Sequence, residues 1–168
     1  MKKYLMLLMP IILFSPLCNA QLIPTEKHKK IIELAMNNFW GRAKLRNGTV
    51  VQPDSELERI TLPITHKDAQ KVIRAGEISS IADWCGLDWQ KNYYRVIKSA
   101  RKSGLSDKQV AFVGLLHGVT MGIVDSALKG KECSPKIKEN TVNKLKIISN
   151  KVLKFVLHTG PRIKRAIP

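Results

Sequence analysis

The sequence predicts an all-α fold: a single-domain bundle of about five helices around a buried, glycine-striped helix, closed by one disulfide. Three observations carry this expectation. Beyond residue 20, apolar residues recur at helical spacing and no stretch sustains period-two alternation. Capping residues precede the periodic segments, and Gly or Pro follows them. Apolar content is 44% but aromatic content only 6%, so compaction is expected from close helix packing and a cross-link rather than from rings. A chain of 168 residues suits one domain, and this apolar content excludes collagen-like, low-complexity and wholly disordered classes.

The elements follow in order. Thr25 is expected to cap a first helix whose apolar side is Ile31, Ile32, Leu34, Ala35, Phe39 and Trp40, ending at the Asn47-Gly48 turn signal. Residues 51–64 carry Pro53 and Pro63 and read as a linker with a short helical turn. Thr65 starts a second helix that reaches Trp84-Cys85, where Gly86 stops it. Asp88 caps a third, ending at Gly104. Ser106 and Gln109 have capping-box spacing for a fourth helix that runs to Lys129 before Gly130. Ser134 with Pro135 opens a fifth, which extends to Leu157 before Gly160-Pro161. The expected division is therefore a signal over 1–20, an N-terminal helix and linker over 21–64, a bridged core over 65–158, and a basic tail over 159–168.

Residues 1–20 read as an address. Lys2 and Lys3 precede an apolar run from Leu5 to Phe14, and Cys18-Asn19-Ala20 supplies the small residues of a cleavage site between Ala20 and Gln21. The run is about half the roughly 20 residues of a membrane span. A periplasmic or secreted destination is expected. Cleavage removes two lysines from a net charge of +16, leaving +14, and removes Cys18, leaving Cys85 and Cys133. Two cysteines in an oxidising compartment are most simply one disulfide.

Val110 to Val124 is apolar on nearly every side, which places the fourth helix in the middle of the bundle. Gly114, Gly118 and Gly122 recur every four residues and are expected to admit the close approach of another helix. His117 and Met121 lie one turn apart, either as a polar core position or, as a lesser reading, as ligands of a copper site or the centre of an enzyme. His28 and His66 sit at helix starts and are expected on the surface. Asp83-Trp84 and Asp88-Trp89 suit either sugar binding or a packed corner beside the disulfide, and the corner is preferred.

No nucleophile elbow, phosphate loop or cofactor motif is present, so the chain is expected not to be an enzyme and to need no cofactor or metal. Basic residues gather on the third helix (Lys91, Arg95, Lys98, Arg101) and on the fifth helix and tail (Lys151, Lys154, Arg162, Lys164, Arg165). Such faces are either solvated or meet an anionic partner. Export and the lack of interleaved aromatics disfavour nucleic acid.

The stretch from Ile81 to Leu153 resembles the helical amidase-immunity proteins of type VI secretion. The shared features are Trp84-Cys85 closing a helix, Phe112-Val113-Gly114 with Gly118 and Gly122 in the next long helix, and Cys133 followed by Pro135. The resemblance implies a small exported bundle that neutralises a protein effector. The expected function is thus a periplasmic, non-enzymatic helical protein that binds a protein partner as an immunity or inhibitor protein. The alternative is a cationic envelope-surface protein on anionic lipid or lipopolysaccharide.

Overall fold

Helix periodicity and local capping dictate the architecture seen in the computed structural model, which describes residues 22–151, with side chains to residue 147. A 3-10 turn over Thr25–Lys27 leads into α1 (His28–Asn37), followed by α2 (Glu56–Ile60), α3 (His66–Trp84), α4 (Gln90–Lys102), α5 (Asp107–Leu128) and α6 (Pro135–Lys151). No β-strand occurs among the described residues; one isolated bridge pairs Lys44 with Val50.

The start signals act as their chemistry requires. Thr65 Oγ1 accepts the Asp68 amide at 3.1 Å and donates to the Asp68 carboxylate at 2.7 Å, opening α3. At α5 the capping box closes both ways: Ser106 Oγ accepts the Gln109 amide, and Gln109 Oε1 accepts the Ser106 amide. Ser134 Oγ accepts the Ile137 amide ahead of α6. Gly86 and Gly104 take φ of 67° and 77° directly behind α3 and α4, a region that L side chains disfavour.

The first helix departs from expectation. Thr25 makes no side-chain cap, and the helix ends at Asn37 rather than at Asn47-Gly48. Phe39 and Trp40 leave the helical path so that Phe39 can bury fully against Phe112, with ring centroids 5.1 Å apart at 80°. The backbone then returns as a small hairpin, in which the Leu45 amide donates to the Thr49 carbonyl at 2.8 Å and the Val51 amide to Ala43 at 2.8 Å. Asn47-Gly48 therefore forms a turn, but between hairpin arms instead of at a helix end.

α5 is the hub. It packs against α1, α3 and α4, most extensively against α3, and supplies Phe112, Val113, Leu116 and Val124 to the core. Ile31, Phe39 and Val51 of the N-terminal segment belong to the same core. Lys108 clamps α2 to α5 by ion pairs to Asp54 at 2.9 Å and Glu58 at 3.0 Å. Burial alone would lower its pKa, but those two carboxylates outweigh burial and raise it. Cys85, following α3, bonds to Cys133 ahead of α6, with Cα atoms 5.3 Å apart and a sequence separation of 48. Loop-closure entropy for such a separation corresponds to about 4 kcal/mol. Trp84 Nε1 donates to the Lys131 carbonyl at 3.0 Å beside the bridge, whereas Trp89, expected at the same corner, packs on Tyr93.

The glycine stripe corrects the sequence reading. Gly114 is covered, since a Cβ there would lie 3.2 Å from Tyr93 Oη and 3.6 Å from Ile97 Cδ1. Among the described residues, however, nothing approaches a Cβ at Gly118 or Gly122 within 4 Å. Those two glycines lie on an exposed strip of α5, so the helix is buried on one side and open on the other. The backbone-to-backbone approach occurs at Gly76 of α3 instead. A Cβ there would meet the His117 carbonyl oxygen at 2.8 Å and Thr120 Cβ at 2.8 Å.

These two environments predict opposite outcomes for one substitution. Gly76→Ala must push α3 from α5 and is expected to cost about 2 kcal/mol or more in urea unfolding. Gly118→Ala adds a methyl group into open space within a helix and is expected to raise stability by about 1 kcal/mol. Equal effects at the two sites would show that Gly76 does not set the helix spacing.

Candidate partner-binding groove

Three elements enclose a cleft of about 490 Å³: the Ala43–Arg46 arm of the hairpin, α4, and the N-terminal two-thirds of α5. The bridge between Lys44 and Val50 positions the arm. From α4, Tyr93 and Ile97 lean over Gly114. The floor continues along α5 through Leu115, Gly118 and Val119, where the absent side chains of glycine leave backbone at the surface. Lys44, Arg46 and Arg101 stand around the cleft, and Asp107 lies 3.5 Å from the Arg101 guanidinium.

Of the α4 cations only Arg101 lines this cleft; the others stand on the remaining faces of the helix. Lys91, Lys98 and Arg101 are exposed and Arg95 is half-buried. The N-cap of α4 is Trp89 rather than the expected Asp88; Asp88, one residue ahead, is paired with Lys91 at 3.0 Å and its Oδ1 accepts the Lys91 amide at 3.4 Å. The Lys91 ammonium holds the Asp88 carboxyl below the usual carboxylate range. Among the described residues Lys98 makes no ion pair, leaving its charge available to an anionic surface.

Beneath the cleft lies a polar cluster in the core. Asn92 Nδ2 donates to the Ala75 carbonyl at 3.1 Å and to Ser79 Oγ at 2.9 Å. The Ser79 hydroxyl, accepting from Asn92, also shares a hydrogen bond with His117 Nε2, 3.0 Å away. The Tyr93 ring packs on the imidazole with centroids 5.2 Å apart. His117 is buried, and burial pushes its pKa down to about 4. It is thus a neutral core histidine with Nε2 engaged by a serine. Met121, one turn on, is also buried, and its carbonyl accepts from Ser80 Oγ at 3.3 Å. No group of three or more His, Cys, Asp or Glu side chains placed to hold a metal occurs among the described residues.

The structure brings Gly114, Gly118 and Arg101 to one cleft, and sets His117 and Met121 in the core behind it. Gly122 lies further along the open strip of α5, and Cys85–Cys133 sits at the end of the bundle where α3 stops. Ala20, Gln21, Lys154, Arg162, Lys164 and Arg165 lie outside the described residues, as does the Lys151 side chain. His66 is exposed as expected, but His28 is not. It is buried, both ring nitrogens lack a hydrogen-bond partner among the described residues, and burial, followed by the charge of Arg74, lowers its pKa. Sequence reasoning missed Ser79, Asn92 and Gly76. The adjacent serines Ser79-Ser80, flanked by Ile78 and Ile81, were the available signal, because buried hydroxyls need partners.

Among the described residues, six α-helices and a disulfide define a small, basic, mostly helical protein with a cleft bordered by Lys44, Arg46 and Arg101. In comparisons with known proteins, no family model, no curated protein and no solved structure matches the chain.

His117 sets a pH dependence. Its folded pKa near 4 lies below the unfolded value of 6.5, so between these values the unfolded chain holds more protons. Its contribution is intact above pH 6.5 and is lost as pH falls towards 4. Wild type is expected to lose about 3 kcal/mol more between pH 7 and pH 4 than His117→Gln, read as the difference in urea unfolding free energy. Identical slopes for both proteins would mean that His117 takes up its proton at the same pH in the native and unfolded chains, so that burial does not disfavour its charge.

Proposed function

We propose that this protein is an exported, periplasmic, non-enzymatic helical protein that binds a protein partner, in the manner of an immunity or inhibitor protein. The observation that carries this reading is the cleft whose floor is the bare backbone of Gly118 and whose surroundings are Lys44, Arg46 and Arg101. Glycine in a helix interior costs about 1 kcal/mol against alanine. At Gly118 and Gly122 no described helix uses the space so provided, which favours an external helix packing there. The net charge of +14 left after signal cleavage and the cations of α4 would steer an acidic partner. His117 and Ser79 support no catalytic role in this reading, since both are sealed in the core.

One observation favours the second reading, a cationic protein on anionic lipid or lipopolysaccharide. On α6, Ile137 and Ile147 are exposed beside the exposed Lys136, Lys138 and Lys146, a mixture suited to a headgroup surface.

Affinity capture from envelope extract distinguishes the two. The expected result is one stoichiometric acidic protein, retained about tenfold less by Gly118→Phe and by Arg101→Glu. Gly118→Phe should fold normally, because its side chain enters open space. Absence of any stoichiometric partner, or capture by both variants undiminished from wild type, would overturn the reading. Co-sedimentation with anionic vesicles in place of a protein partner would favour the alternative.

A further inference from the structure

A second groove, sharing no lining residue with the partner cleft, runs between α1 and the C-terminal half of α5. It encloses about 370 Å³. Three of the chain's exposed large apolar side chains converge on it: Leu22 at 50% exposure, Leu34 at 44% and Ile123 at 36%. Ile31, Val124 and Leu128 continue the apolar wall into the core. Leu22, Leu34 and Ile123 therefore share one concave groove instead of standing singly on the surface.

The polar lining has one sign. Lys27, Lys30 and Lys131 border the groove, and no carboxylate does. None of the three lysines makes an ion pair among the described residues. An apolar slot with ammonium groups at its edge is complementary to an apolar chain that ends in an anion.

We propose that this groove binds a fatty-acid carboxylate, with the acyl chain laid along Leu34 and Ile123 and the carboxylate among Lys27, Lys30 and Lys131. Size favours a small ligand, because the volume falls at the lower end of small-molecule pockets. A protein partner needs about 800 Å² on each side for a stable interface. Charge disfavours the chain's own outlying segments: residues 1–21 carry Lys2 and Lys3, residues 152–168 carry Lys154, Arg162, Lys164 and Arg165, and neither contains an Asp or Glu. A second copy brings the same net charge of +16 and is repelled likewise.

Calorimetric titration of the full chain with octanoate, decanoate and dodecanoate, each below its micelle concentration, tests this. One equivalent should bind, and affinity should rise about fourfold with each added methylene until the slot is full. Decyltrimethylammonium, with the same chain and the opposite charge, should bind at least about tenfold more weakly than decanoate. Leu34→Glu and Ile123→Glu should abolish binding. Lys27→Glu combined with Lys30→Glu replaces only exposed side chains, so the fold should be kept by circular dichroism while decanoate affinity drops about tenfold. The proposal is overturned by any of four results: no saturable binding of the monomeric carboxylates, equal affinity for the two head groups, uptake of anionic vesicles alone, or occupation of the groove by an acidic peptide with decanoate excluded.

Discussion

The separation of α3 and α5 at Gly76 governs the positions of nearly everything else. With no side chain at that residue, the α3 backbone meets the His117 carbonyl and the Thr120 side chain directly. Helices this close leave no room for a layer of large apolar groups between them, and the contact is made by small and polar residues. Ser79, Ser80 and Thr120 are all buried along the seam. Thr120 returns its hydroxyl to the Leu116 carbonyl at 2.8 Å, and so needs no partner across the interface. The short distance also puts Ser79 within reach of His117, and Asn92 within reach of Ser79.

Through Asn92 the seam fixes α4. The Asn92 amide group bonds both the Ala75 carbonyl and Ser79, so the first turn of α4 is locked to α3 by directional bonds rather than by apolar packing alone. That setting carries Tyr93 onto the His117 ring and over Gly114, and the wall of the partner cleft is the result. Polar groups held in low dielectric are costly when unpaired, and the cluster is not fully satisfied: Asn92 Oδ1 has no partner among the described residues. The directional bonds of Asn92 and Ser79 hold α3, α4 and α5 in one register, and the unpaired Oδ1 offsets part of their stabilisation.

Helix identity, the disulfide and the caps at Thr65 and Ser106 were legible in the sequence because each rests on local spacing or on the scarcity of cysteine. The course of residues 38–50 was not. Their apolar residues fit helical spacing, and only tertiary contact of Phe39 with Phe112 shows why the chain turns out of the helix early. The glycines were misread for a related reason. Regular spacing made Gly114, Gly118 and Gly122 conspicuous, whereas Gly76 is a single glycine in a polar stretch and gave no periodic signal. Burial of His28 depends on Glu77, whose carboxylate accepts the backbone amides of Leu22 and Ile23 and folds the N-terminal segment against α3. Sequence distance hid that clasp. The basic face of α4 was readable from composition, but its neighbour, the hairpin arm bearing Lys44 and Arg46, was not.

The bond between Cys85 and Cys133 has a consequence set by how little α6 buries. Among its described side chains only Thr141 is buried, and the remainder of the helix is half-buried or exposed. Such a helix would dissociate readily if it were joined only by a flexible strand. The covalent link works less as a brace of the core than as a tether: it keeps α6 at high effective concentration beside α3 and α4. Opening the bridge would loosen one cationic arm while Gly76, Phe112 and the α3–α5 seam stay in place.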